Sequence, residues 1–127
     1  MIDIENQVYT RLKEAIGTSA KTSSSYARTP SSFPFVSITM SDNRVSHLDN
    51  SDAEKYATCM FEINVYANDS EAKTTAKSIM NTIDVEMYRM NGVRISCTPV
   101  PNLEDGTIYR LVARYECETD GINTYRR

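Results

Sequence analysis

Glu54-Lys-Tyr-Ala-Thr-Cys-Met-Phe-Glu-Ile-Asn-Val-Tyr-Ala67 decides the fold class. Ala57, Cys59, Phe61, Ile63 and Val65 share one parity, and Thr58, Glu62 and Asn64 share the other. That period of two predicts a strand with one buried face. Ahead of it Ser41 to Ala53 is polar and rich in Asp and Asn, which predicts a hairpin connection or extended flap. Phe33 to Met40 reads as the preceding strand, with Pro34 confined to its start or to an edge because it cannot donate to a ladder.

Beyond Ala67 the period changes. Ala72, Ala76, Ile79, Met80, Ile83, Met87 and Met90 recur every three or four residues, predicting a helix over 70–90. Asn68 and Glu71 have capping-box spacing, and Gly92 supplies a stop. Val93 to Val100 reads as a third strand with Val93, Ile95 and Cys97 on one side. Pro99 and Pro101 end it, Asp105-Gly106 turns the chain, and Thr107 to Glu118 forms a fourth strand. At the other end Ile4, Val8, Leu12 and Ile16 form the stripe of a helix over 3–16, with Asp3 as N-cap and Gly17 as C-cap. Thr18 to Ser32 is a long Ser- and Thr-rich loop, and long ordered loops tend to be functional.

The order α-β-β-α-β-β predicts an α+β domain: a four-stranded, mainly antiparallel sheet with both helices on one face. With 127 residues, 40% hydrophobic and 24% charged, the chain forms one soluble domain spanning 1–127, ending in a short tail from about 119. The apolar runs are too short to cross a bilayer. The acidic start, Met1-Ile-Asp-Ile-Glu, lacks the features of a signal peptide, so cytosolic synthesis is expected. A net charge of −3 argues against a dedicated nucleic-acid binder.

Strand parity also defines a second sheet face. In the last strand Tyr109, Leu111, Ala113, Tyr115 and Cys117 are the inner set, leaving Ile108, Arg110, Val112, Arg114 and Glu116 outside. The central strand contributes Tyr56, Met60, Glu62 and Tyr66 to the same outer face. Tyr, Met and Arg are the residue types enriched at subunit contacts. Tyr56, Met60, Arg110, Val112 and Arg114 are therefore candidate interface residues.

Candidate chemistry is sparse. His47 is the only histidine and stands in a polar stretch without partner ligands. Cys59, Cys97 and Cys117 carry inward parity and no CxxC spacing, which fits small core residues rather than nucleophiles or zinc ligands. The acidic group Asp42, Asp49, Asp52 and Glu54 does not match a calcium-loop pattern. Met80, Met87 and Met90 lie on the core stripe of their helix. No phosphate loop or nucleophile elbow is present, and no catalytic, metal or cofactor residue is assigned.

Several segments in order carry a resemblance. They are Ile2-Asp-Ile-Glu-Asn, Arg28-Thr-Pro-Ser-Ser-Phe-Pro, Glu62-Ile-Asn-Val-Tyr, Ala76-Lys-Ser-Ile-Met running to Ile83-Asp, Val100-Pro-Asn, Thr107-Ile-Tyr-Arg and the closing Tyr-Arg-Arg. Over nearly its whole length the chain resembles the tail terminator, or tail completion, proteins of tailed bacteriophages. The resemblance implies a non-enzymatic virion protein assembled in the host bacterial cytoplasm without membrane contact. It implies a homo-hexameric ring on the head-proximal end of the tail tube, which stops polymerisation and offers a docking surface to neck and head-completion proteins. Sheath protein would be a further partner in a contractile tail, and genomic DNA would pass through the lumen without sequence-specific binding. Tyr26, Arg28 and Phe33 of the first loop, Arg44 and His47 of the second, and Tyr125, Arg126 and Arg127 of the tail are the residues expected to meet tube or neck. The alternatives are a neck or head-tail joining protein of the same particle, a small cytosolic thiol enzyme, and an RNA-binding module.

Overall fold

The first apolar stripe forms α1, Glu5–Ile16, with Val8, Leu12 and Ile16 buried. Asp3 accepts a hydrogen bond from the Glu5 backbone at 2.9 Å, so it caps from two residues away while Ile4 takes the N-cap position. Gly17 closes the helix at φ 60°, a left-handed conformation that glycine adopts without a Cβ clash, and its N–H bonds to the Lys13 carbonyl.

A computed structural model describes residues 1–26, 30–48, 54–101 and 106–125; at 46–48, 54–55 and 125 only the backbone is described. After α1 the chain forms β1, Lys21–Ser23, then β2, Phe35–Leu48, β3, Glu54–Ala67, and α2, Ala72–Arg89. It continues through β4, Val93–Pro99, β5, Tyr109–Thr119, and β6, Thr124–Tyr125. The sheet runs β1-β2-β3-β5-β4, and β6 pairs with the end of β5.

The class is α+β, as the patterning predicts, but the sheet has more than the four expected strands and is mixed, one short parallel pair joining its antiparallel ladders. Lys21–Ser23 pairs in parallel with the start of β2, a strand the sequence reading places inside a loop. The four long strands do form the two expected antiparallel hairpins, joined through β3 against β5.

Other expectations shift in register. The polar run after Met40 is β-strand as far as Leu48, so Arg44 and His47 stand on a strand, not in a loop. Asn68 and Glu71 form no capping box. Glu71 itself stands at the N-cap of α2 and makes no side-chain cap bond. Before it, Asp69 accepts from the Thr75 hydroxyl at 3.0 Å through its carboxylate and from the Ala72 N–H through its carbonyl. At the far end of α2 it is Asn91, at φ 62°, that adopts the left-handed conformation. Gly92 then returns its N–H to the Met87 carbonyl at 2.8 Å, and Asn91 its own to Tyr88, completing a Schellman closure. In β4 a bulge between Arg94 and Ser96 breaks the alternation. Val93 therefore pairs with outward Glu116, Cys97 with inward Ala113, and Ile95 is left exposed. The tail from 119 is not free: Thr119 is buried, and β6 turns back on β5.

Both helices pack on one sheet face. Val8, Leu12, Ile83 and Met87 share a core with Ile38, Phe61, Ile63, Ala113 and Tyr115. Each such side chain fully buried contributes about 1.5–3 kcal/mol, and this apolar layer sets the register of every long strand.

Candidate assembly surfaces

The face opposite the helices is built by the outward parity of β2, β3 and β5. Arg114 pairs with Glu62 at 2.8 Å. Arg44 lies 3.5 Å from Asp42 and 3.5 Å from Glu116, whose side chain is buried. Exposed ion pairs add little stability, but these fix which charges the face presents.

Of the five residues expected at a subunit contact, Arg114 is exposed, and Tyr56 and Met60 are half-buried. Val112 is only 2% exposed, enclosed within its own sheet. Arg110 is half-buried and already engaged. Its Nε donates to Asn64 Oδ1 at 2.9 Å, and its guanidinium stands 5.5 Å from the Tyr26 ring and 5.8 Å from the Tyr66 ring. A cation held between two aromatic rings is attracted to their faces. Arg110 thus clasps the first loop to the sheet.

That loop covers one end of the outer face. Phe33 packs against Phe35, Tyr66 and Ile108, and Ser37 donates its hydroxyl to the Ser25 carbonyl at 3.0 Å. The Phe33–Pro34 peptide bond is cis, and the Pro34 carbonyl accepts from Lys21. Burial pushes the Tyr66 phenol up to about 12, against the opposing pull of Arg110. Asn64 is fully buried there, with its Nδ2 unpartnered.

Among the residues expected to meet tube or neck, Tyr26 is half exposed beside Arg110, Phe33 is packed inward, and Arg44 is exposed on β2. His47 lies opposite Tyr56 in the β2–β3 ladder, and Tyr125 pairs with Glu118. Arg28, Arg126 and Arg127 lie outside the described residues, as do Asp49 and Asp52 of the acidic group. The structure therefore gathers Tyr26, Phe33 and Arg110 at one end of the outer face. Arg44 sits apart on the hairpin.

Cys59 and Cys117 are buried opposite one another on β3 and β5. Burial pushes the Cys117 thiol up to about 12, with the neighbouring Cys59 adding to the shift. A thiol held protonated is a poor nucleophile. Among the described residues no three His, Cys, Asp or Glu side chains group to hold a metal, and no helix is long and apolar enough to cross a membrane.

One feature has no signal in any single segment. Between α2 and the β4–β5 edge lies an open cleft of about 490 Å³. Met80, Cys97, Pro99, Tyr109 and Leu111 form its apolar floor, and Lys73, Lys77 and Arg94 stand at its rim. Asp84 is tied down at the same place, accepting from the buried Tyr115 hydroxyl at 2.8 Å and from Arg94 at 3.3 Å. Burial, chiefly, raises the Cys97 thiol.

No family model matches the chain, and no curated protein is significantly similar to it.

Proposed function

We propose that this chain is a structural subunit of the tail-terminator kind. Copies close into a hexameric ring on the head-proximal end of a phage tail tube. The ring covers the growing end, so no tube subunit can add, and it presents its far side to neck and head-completion proteins. The genome passes through the lumen. In this reading the protein carries no catalysis; its work is surface complementarity in the virion.

The resemblance carried by the sequence segments named above supports this reading. In the structure, the supporting observation is the sheet face left without a helix, where Tyr56, Met60 and Arg114 stand among paired charges. A ring subunit needs surfaces beyond those that close its own core. Arg110 is a poor probe of that surface, since it also holds Tyr26 and Asn64. Arg114→Glu is the cleaner one. It sets like charges opposite each other at Glu62 on an exposed site, where the cost to monomer stability is at most about 1 kcal/mol.

The direct experiment adds purified protein to polymerising tail tubes and measures tube length by electron microscopy. Capping predicts that elongation stops, with density at one end only. Tubes that keep growing, bare at both ends, contradict the reading. Arg114→Glu should lower the melting temperature by no more than about 5 °C and weaken ring formation.

A further inference from the structure

The cleft between α2 and the β4–β5 edge lies away from the outer sheet face and differs from it in charge. The chain as a whole carries a net charge of −3, yet three cations, Lys73, Lys77 and Arg94, line the cleft against one carboxylate, Asp84. Asp84 is already bonded to the Tyr115 hydroxyl and to Arg94. Lys73 and Lys77 are exposed, and among the described residues neither makes a hydrogen bond or an ion pair. Beneath them Met80 and Leu111 are buried, and Cys97 and Tyr109 are half-buried. The cleft is therefore apolar at its floor and positive along its rim.

The helical wall of the cleft has a length and a period. Lys73, Lys77, Met80, Asn81 and Asp84 share one face of α2 at three- and four-residue spacings. Tyr88, one turn past Asp84, continues that face and is 64% exposed. Lys73 and Tyr88 stand fifteen residues apart. At about 1.5 Å of rise per residue the wall is roughly 22 Å long. An extended peptide covers that distance with about seven residues.

We infer that the α2–β4 cleft is a docking groove for an extended segment of another protein in which acidic and apolar residues alternate. The inference goes beyond the ring reading and does not depend on it, because it concerns a different face and a different partner.

Charge complementarity carries it, and spacing sharpens it. Lys73 and Lys77 are one turn apart, about 6 Å along the helix axis. On an extended segment, side chains two residues apart lie about 6.6 Å from each other on one side of the backbone, and the residue between them points to the other side. Carboxylates at two such positions meet both ammonium groups, while the intervening apolar side chain turns to Met80 and Leu111 on the floor. The long lysine stems can lie over the peptide with their charged ends in water. Recognition of extended peptides by pockets for alternate side chains is a general mode of docking. A small anion would engage one end of this wall and leave the rest uncovered. Complementary charge sets the choice and register of the partner more than the raw affinity.

The test is an array of random seven-residue peptides, probed with the purified chain and with the variant carrying Lys73→Glu and Lys77→Glu. Bound peptides should carry Asp or Glu at alternate positions with Leu, Val or Phe between them. Their affinity for the double variant should fall by at least about tenfold. The milder pair Lys73→Gln with Lys77→Gln should show an intermediate loss, and circular dichroism checks that both variants remain folded. A bound peptide should also slow labelling of Cys97 by a thiol reagent in proportion to occupancy, which places it in the cleft. A preference for basic or neutral peptides overturns the inference, as does affinity unchanged in the double variant or the absence of any peptide that protects Cys97. Protection of Cys97 by dodecanoate and by no peptide makes the cleft a small-amphiphile site and overturns it too. Protection that rises with protein concentration alone assigns the cleft to a second copy of the chain, again against the inference.

Discussion

Replacing Gly92 with Ala tests how tightly the end of α2 is closed onto the sheet. A Cβ built at Gly92 meets Met87 Cε at 3.0 Å, the Met87 carbonyl oxygen at 3.1 Å and Cys117 Sγ at 3.4 Å. Met87 Cε can swing aside, but Met87 is fully buried and its new rotamer must find room in a filled core. The carbonyl oxygen cannot swing. It already accepts the Gly92 N–H at 2.8 Å, so relieving the contact stretches that Schellman hydrogen bond. Overpacking of this kind costs about 1–3 kcal/mol. Restricting the unfolded chain returns about 0.4–1 kcal/mol. The net loss should be about 1–2 kcal/mol, which for a domain of this size lowers the melting temperature by roughly 4–10 °C. Urea unfolding followed by far-UV circular dichroism gives the free energy, and calorimetry gives the midpoint. A neutral or stabilised Gly92→Ala variant would refute the reasoning, because Gly92 would then be only a flexible joint.

Three further outcomes follow from the buried polar groups. Burial raises the Cys117 thiol from 9.0 to about 12 and the Tyr66 phenol from 10.0 to about 12. Both favour the protonated form when folded, so their contribution is fully present below pH 9 and is lost as the pH rises towards 12. Urea unfolding should show a loss on the order of 2 kcal/mol between pH 9 and 10.5, and a flat profile there would contradict the burial of these groups. Tyr115→Phe removes the 2.8 Å bond to Asp84 and should cost about 1.5 kcal/mol by the same assay; a change under a few tenths would show that the bond is not formed. In a thiol titration of the native monomer, Cys97 should react slowly, while the buried Cys59 and Cys117 react only in denaturant. Fast labelling of all three would contradict the core assignment.

Much of the fold is legible in the sequence wherever one face of an element is buried. Phe61, Ile63 and Val65 must stay inward together, so their parity reads directly, as do the stripes of Leu12 and Met87. Legibility fails where burial does not set the pattern. Lys21–Ser23 is a strand only because β2 pairs beside it, and three polar residues carry no alternation of their own. The run beyond Met40 is mostly polar and shows no alternation, so it reads as a loop although it pairs with β3 to Leu48. The bulge after Arg94 moves Ile95 to solvent through one extra residue, which no period of two can register. The Asn68–Glu71 spacing makes no capping box because α2 starts later than it implies, with Glu71 itself at the N-cap.

The candidate surfaces divide in the same way. The outward parity of Met60, Arg110 and Arg114 follows from the strands alone. That Val112 is buried has no signal in its parity, and that Arg110 meets the Tyr26 ring depends on the first loop folding back across the sheet. The cleft could not be read at all, since Lys73, Arg94 and Leu111 come from three elements that only the fold brings together.

The central claim is that copies of this chain close into a ring. Light-scattering mass after size exclusion, with negative-stain imaging of the main peak, tests it most directly. The account predicts a hexameric mass and annular particles, either alone or seated on one end of added tail tubes. A monomeric mass that persists with tubes present, with no density at their ends, would contradict it.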